Sequence, residues 1–382
     1  MARLLDIAVL GATPAGYVAA MILARKGHDA AVVDAPAAAT ESPLADWVPA
    51  ELFRTCPPLK AVKSAGTDAA FRAVRFHGPE LASEAAYRHR GVAGYVLHRA
   101  TLVRALERAA GKAGVRRVRS AERVTPELEE ASVRLPARRP VRARLLLLAQ
   151  DGPVEAMAAL GLPARAAPTG RLRLWGVNVP LSGPQRRRVG PDMHIVAFEG
   201  GERLGMYFAA GADLHVRIIA GRQEPPGVAE EEPSPAEGDA DALGRLIARL
   251  QWAGLLPERL SLRRAKAAAW YPPGGAALEM ETHLAKRTLL VGTAGGFAAD
   301  LSGQTLDPTV RSARVAADVA GRALRSTGVQ DALADYKKRW RDPLADRIRH
   351  TGTSLKMLMP MVLSNRTMTR RFARALLYGE NL

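Results

Sequence analysis

The sequence predicts an α/β fold: a nucleotide-type domain with a parallel sheet, an inserted antiparallel sheet and a helical C-terminal tail. Three observations carry this. A strand–turn–helix–strand unit spans Leu4 to Asp34. Short apolar segments divided by Gly and Pro fill Arg171 to Ala220. A second buried strand, Gly-rich turn and helix then return between Thr288 and Leu324.

In the first unit, Ile7–Leu10 is an apolar run of the kind that parallel strands bury on both faces. The turn Gly11-Ala12-Thr13-Pro14-Ala15-Gly16 follows, then a helical segment, Tyr17 to Lys26. A second apolar run, Ala30 to Val33, is closed by Asp34. This is the spacing of a dinucleotide fingerprint. The first N–H groups of the helix suit a pyrophosphate, and an acid at the end of the second strand suits a ribose hydroxyl. The fingerprint Gly-x-Gly-x-x-Gly places its middle glycine at position 13, where this chain has Thr13. A Thr side chain takes space there, although its hydroxyl can donate to a phosphate oxygen. Asp6 interrupts the apolar start, so the segment reads as a first strand and not as a signal peptide.

The remaining elements follow in order. Ala35 to Thr55 is rich in Ala and Pro and reads as a loop. Tyr95 to Ala110 has apolar residues at helical spacing and predicts one helix with a basic outer face. Val115 to Leu148 reads as strands ending in four consecutive leucines, then a turn, Ala149-Gln150-Asp151-Gly152, and a short helix, Val154 to Leu160. Arg171 to Ala220 has the pattern of antiparallel strands. Gln223 to Asp241 reads as a Pro- and Glu-rich loop, Ala242 to Ala253 as a helix, and Ala267 to Pro273 as a return toward the core. After the strand and helix of Thr288 to Leu324 come a polar helix, Asp331 to His350, an apolar Met-rich segment, Leu355 to Leu363, and an amphipathic basic helix, Arg366 to Leu377. The expected division is a discontinuous nucleotide domain, 1–164 and 267–330, an antiparallel domain, 165–266, with a further part of it inserted within 36–90, and a helical region, 331–382.

A chain of 382 residues can build a large core, and 48% hydrophobic residues with a mean hydropathy of -0.08 fit a globular protein. No apolar run reaches the roughly 18 residues of a spanning helix. The single cysteine, Cys56, excludes an internal disulfide and makes a cytoplasmic location the expectation. The eight histidines are scattered without zinc spacing, so no metal site is expected. Net charge is +17, and Lys337 to Arg374 holds eleven basic and two acidic residues. That concentration suits an anionic surface, with peripheral contact at the inner face of a membrane as the expectation and nucleic acid as the less expected partner. The tail admits two roles. Met368, Phe372, Ala375 and Leu376 form an apolar face that either lies in the headgroup region or packs on the antiparallel domain.

Four separated segments fall into one pattern: the N-terminal βαβ unit, Tyr95 to Leu102, Ala149 to Gly152, and Leu289 to Gly296. Their order and spacing resemble the flavoprotein group of p-hydroxybenzoate hydroxylase and the geranylgeranyl reductases. The resemblance covers the chain to about Leu324, and Tyr336-x-x-x-Trp340 is most similar to the reductase branch. It implies a Rossmann-like FAD-binding domain of the p-hydroxybenzoate hydroxylase type, with transient NAD(P)H and a small apolar or prenylated substrate. It implies that Gly11, Thr13, Pro14, Ala15, Gly16 and Arg99 face the pyrophosphate. Asp34 would take the ribose, Asp151 keeps the family's Asp-Gly turn, and Gly292, Thr293, Gly295 and Gly296 would take the flavin side.

Several positions depart from the family pattern. Thr293 replaces the Asp that binds the ribityl chain, Asp300 stands at a Pro position, and Thr305 replaces the Gly before the helix. Glu155 and Ala158 replace a Ser and an Arg. Tyr271 to Gly275 is similar to the family's Pro-rich strand, whereas Met206 to Gly211 lacks the Trp and Pro of the reductase substrate motif. Cys56 is the candidate for a catalytic group, against the reading of a packed thiol, because Pro57-Pro58 replace the Gly-rich continuation. His77 and His98 read as structural. The functional expectation is an FAD-dependent oxidoreductase. The alternatives are an FAD-dependent monooxygenase and a binding protein that keeps the fold without redox chemistry.

Overall fold

The computed structural model describes residues 3–36, 45–162, 172–222, 237–261, 265–349, 354–380 and 382. Strands are numbered β1–β18 and helices α1–α12 along the chain. The first sheet is built on β1 (Leu4–Leu10), which lies parallel to β2 (Ala30–Asp34) on one side and β11 (Val141–Leu148) on the other. β2 continues to β8 (Arg116–Arg119), and β11 to β18 (Thr288–Leu290), both parallel. Three short antiparallel strands complete the sheet: β9 (Glu127–Leu128), β10 (Val133–Leu135) and β17 (Leu284–Ala285). The two apolar runs expected in one sheet, Ile7–Leu10 and Leu289–Val291, are one strand apart, with β11 between them.

Strand alternation sends Ile7 and Val9 to one face and Leu5, Ala8 and Leu10 to the other, each into its own core. The first core is covered by α1 (Pro14–Arg25), α4 (Arg99–Lys112), α9 (Leu306–Ala323) and α10 (Val329–Ile348). The second is covered by α5 (Val154–Ala159) through Ala156 and Met157. Here α1 starts where the sequence places a start signal. Pro14 supplies a fixed φ at the first helical position, and the Thr13 side chain accepts from the Gly16 N–H.

The second sheet has seven strands in the order β16-β12-β15-β14-β13-β5-β6. These are β5 (Ala73–His77), β6 (Glu84–Arg88), β12 (Leu172–Pro180), β13 (Met193–Phe198), β14 (Arg203–Ala210), β15 (Asp213–Arg222) and β16 (Lys266–Trp270). All pairings but β13–β5 are antiparallel. The strand β16 corrects the expected return to the core at Ala267. Five of its residues pair with β12, so the antiparallel sheet runs across the expected boundary. One face of this sheet packs on α7 (Glu237–Trp252), which begins before the expected Ala242. The expected loop at 223–236 and the expected domain start at 165 lie outside the described residues.

Three further corrections concern the junction. Tyr95–His98 is not helical: β7 (Gly94–His98) precedes α4 and forms a three-stranded sheet with β3 (Ala45–Pro49) and β4 (Ala69–Phe71). The contiguous apolar residues there fill both faces of a strand, a pattern that helical spacing also admits. The described part of the expected loop 35–55 holds β3 and α2 (Ala50–Thr55), followed by α3 (Pro57–Gly66). Finally, α6 (Gly183–Val189) interrupts the strands, started by a capping box of Ser182 and Gln185. A short α8 (Ala276–Glu279) precedes β17.

The tail forms α11 (Leu355–Ser364) and α12 (Arg366–Tyr378). Leu358, Met359, Val362, Phe372 and Leu376 are buried against Phe76, Ile195 and Met206 of the antiparallel sheet. The apolar face of α12 is therefore packed on the antiparallel sheet, while Met357 and Met361 of α11 stay exposed. Arg366, Arg370 and Arg371 remain exposed.

Candidate functional site

The carboxyl ends of β1, β11 and β18 each run into a turn, and the three turns meet. A Cβ on Gly11, whose φ is +119°, would fall 2.6 Å from the backbone nitrogen of Gln150. A Cβ on Gly292, at φ +63°, would fall 2.9 Å from that of Ala15. Glycine suits both places, through the positive φ and the close approach of backbone at Gly11 and of the Ala15 side chain at Gly292. Ligands of open α/β sheets bind at such strand ends.

The polar groups gathered here are bonded to one another. The Thr13 hydroxyl donates to the Ala149 carbonyl at 2.9 Å while accepting from the Gly16 N–H. One N–H of the α1 start is thereby used, and Pro14 has none. Gln150 donates through Nε2 to the Pro36 carbonyl at 2.8 Å, which ties the turn after β11 to the segment after β2. Arg99 pairs with Asp151 at 2.8 Å, and the Thr293 hydroxyl donates to the same carboxylate. Gly292 N–H donates to Ser312 Oγ at 3.0 Å. Gly295 and Gly296 are buried beside Phe297 and the start of α8. Asp34 accepts from Arg117 at 2.5 Å, and Arg117 also meets Glu107. Nearly all these residues are buried, with Arg99 4% and Thr13 8% exposed.

Arg99 has a donor left over, as does Arg117 at Nε. Nε of Arg99 is buried and has no hydrogen-bond partner. Its guanidinium carbon stands 5.9 Å from the centre of the Trp270 ring, across the junction of the sheets. A cavity of about 10 Å³ lies there, lined by Asp46, Arg99, Leu174, Arg217, Trp270 and Thr305. That is scarcely room for one water. Asp46 is held above the usual carboxylate range by burial, which outweighs the pull of Arg217. Burial likewise holds Arg217 below its usual range, against Asp46.

The site residues read from the sequence are thus brought together, with two exceptions. Asp34 stands at the end of β2 with its own arginine. Cys56 lies in the core between α2 and α3, wholly buried, and burial pushes its thiol up. A protonated, enclosed thiol is not a nucleophile. Sequence reasoning missed Gln150, Asp46 and Arg217. Gln150 carried a signal, since it stands directly before Asp151-Gly152 in the turn after the four leucines.

The residues fit FAD in donor chemistry. Glycine turns, an arginine with an unfilled donor and an acid after β2 are the groups such a ligand needs. The Gln150–Pro36 and Thr293–Asp151 bonds tie these same turns together.

No family model and no curated protein sequence matches the chain. Solved structures do match in fold. A geranylgeranyl bacteriochlorophyll reductase-like protein from Thermoplasma acidophilum aligns over 100% of this chain and 98% of its own, with a TM-score of 0.72 and 16% identity. A flavoprotein/dehydrogenase from Cytophaga hutchinsonii aligns over 98% and 93%, with a TM-score of 0.69 and 16% identity. A p-nitrophenol 4-monooxygenase from Pseudomonas putida aligns over 100% of both chains, with a TM-score of 0.68 and 14% identity. The fold is the one these proteins have: a Rossmann-like parallel sheet with an added antiparallel sheet and C-terminal helices.

Proposed function

We propose that the chain is a flavin-dependent oxidoreductase that takes FAD across the carboxyl ends of β1, β2, β11 and β18. The observation that carries this is the meeting of three glycine turns around Arg99, whose buried Nε lacks a partner. The flavin-dependent proteins of the same fold support it. When bound, FAD supplies two-electron transfer. The chain's own residues bind and orient. The Gly11–Gly16 turn and Arg99 hold the pyrophosphate, and Asp34 accepts a ribose hydroxyl once released from Arg117. Gly292, Thr293, Gly295 and Gly296 face the flavin side. Transient NAD(P)H is the proposed reductant, and a small apolar or prenylated molecule the proposed substrate. The exposed Arg366, Arg370 and Arg371 would hold the protein peripherally at an anionic membrane.

A second reading, a binding protein without redox chemistry, is favoured by one specific observation: Thr13 and Gln150 close the turn with bonds of their own. Titration of FAD, followed by quenching of its fluorescence, separates the two. One FAD per chain is expected. Asp34→Ala should then weaken binding by about 1.5–3 kcal/mol, the loss of a charge-assisted acceptor. Absence of quenching overturns the first reading.

A further inference from the structure

We infer that His98, Asp213 and His215 form a binding site for one divalent transition-metal ion of the zinc or iron(II) class. Candidate ligand atoms of the three residues lie within 4.8 Å of one another. His98 ends β7, while Asp213 and His215 begin β15. Two residues apart on a strand, the latter pair share a face. The topology thus joins positions that the sequence holds more than a hundred residues apart.

The support around the two imidazoles is what distinguishes a built site from a chance cluster. Nδ1 of His98 donates to Asp68 Oδ2 at 2.8 Å, and the same oxygen accepts from the His98 backbone N–H at 2.9 Å. Nδ1 of His215 donates to Asn178 Oδ1 at 2.7 Å. With the proton on Nδ1, each ring keeps its lone pair on Nε2, the arrangement that outer hydrogen bonds impose on metal-binding histidines. His215 is 3% exposed, and its Nε2 is buried without a hydrogen-bond partner. The Ala210 carbonyl is a second hydrogen-bonding neighbour of the ring. Phe208 stacks on one side of the His215 ring, with centroids 5.4 Å apart, and His98 meets it edge-on at 5.2 Å.

Two imidazoles and a carboxylate are a ligand set of zinc and iron(II) sites that keep open coordination positions. His98 and Asp213 are only partly buried, which gives an ion a way in. Arg217 lies on the same face of β15 and is opposed by Asp46, while Asp68 and Asp213 act on His98. A second histidine pair shows the contrast. Nε2 of His77 and Nδ1 of His194 face each other at 2.9 Å, so those rings hydrogen-bond to one another.

The inference stands apart from the flavin reading. The test uses the full chain without a polyhistidine tag, stripped with chelator. Cobalt(II) is titrated while its d–d absorption is recorded, and zinc(II) is then added as competitor. One cobalt per chain, displaced by zinc, is expected. His98→Gln and Asp213→Asn should each weaken binding at least 100-fold, and Asp68→Asn about 10–100-fold. His89→Gln, outside the cluster, should change nothing. These ligands are partly exposed, so the variants fold where a change at His215 risks the core. Lack of cobalt binding by the wild-type chain, or retained affinity in either His98→Gln or Asp213→Asn, overturns the assignment.

Discussion

His98 and Arg99 are neighbours in the chain, and each stands in a polar cluster of a different kind. Arg99 pairs with Asp151, which also accepts from Thr293, and the cluster is closed and buried. His98 is held by Asp68, as His215 is by Asn178, and with Asp213 their candidate ligand atoms lie within 4.8 Å of one another. The first cluster bonds to itself at the place where the fold would put a ligand, with Arg99 Nε left over. The second has spent its hydrogen bonds on orientation and left lone pairs over. What differs is where the bonds go, not how many polar residues gather.

The largest expected effect tests the closed cluster. Asp151→Ala leaves the Arg99 charge buried without its carboxylate and should cost about 3–5 kcal/mol in urea unfolding. Asp213→Ala, in the open cluster, should cost within about 0.5 kcal/mol. Equal losses would break the comparison. Next, zinc at 100 times its dissociation constant should stabilise the wild-type chain by about 2.7 kcal/mol. A thermal scan of Asp213→Asn with the same zinc should lose that increment.

Acid sharpens the comparison through the third cluster, His77 and His194. Burial, with His77 and Arg75 adding, holds His194 down to about 3, and burial lowers His77 against the pull of Glu84. Both stay neutral in the fold at pH values where the unfolded chain takes up protons. Stability should therefore fall as pH drops from about 6.5 toward 3, by up to about 1.4 kcal/mol per pH unit for His194, with His77 acting in the same direction. Denaturant midpoints of the wild-type chain and of His194→Gln, compared across that window, check it: equal slopes would remove His194 from the account. The smallest effect concerns the first turn. Thr13→Gly should cost only a few tenths of a kcal/mol as a cap. It also frees the Gly16 N–H, so FAD should bind more tightly than to the wild-type chain. Unchanged affinity by fluorescence would show that Thr13 does not close the turn.

Much of this was legible in the sequence. Apolar runs at Ile7–Leu10, Ala30–Val33 and Leu145–Leu148 have no polar interruption, and only a parallel sheet covered on both faces accommodates them. The glycine turns follow from those strands. The capping box at Ser182 was equally legible, and the strand pattern around it hid the helix. Tyr95–Ala110 misled because strand and helix join there without a break, and His98 offers no side-chain cap to mark where α4 begins. The closure of the site was not legible, since Gln150–Pro36 and Arg99–Asp151 depend on turns brought together by the sheet. The histidine cluster was hidden for the same reason. Its local trace, Asp213-x-His215, names a shared strand face and says nothing of the third partner.

The glycines of the first turn are held by the chain itself. A Cβ on Gly16 would fall 2.1 Å from the Gly11 carbonyl oxygen, and one on Gly11 would strike the turn after β11. Mutational drift that must still produce a folded protein keeps both, whatever has become of their ligand. Position 13 carries no such obligation, and a threonine lives there with both of its hydroxyl's bonds filled from within. Within such a fingerprint the outer glycines answer to the fold, and the middle position answers to the ligand.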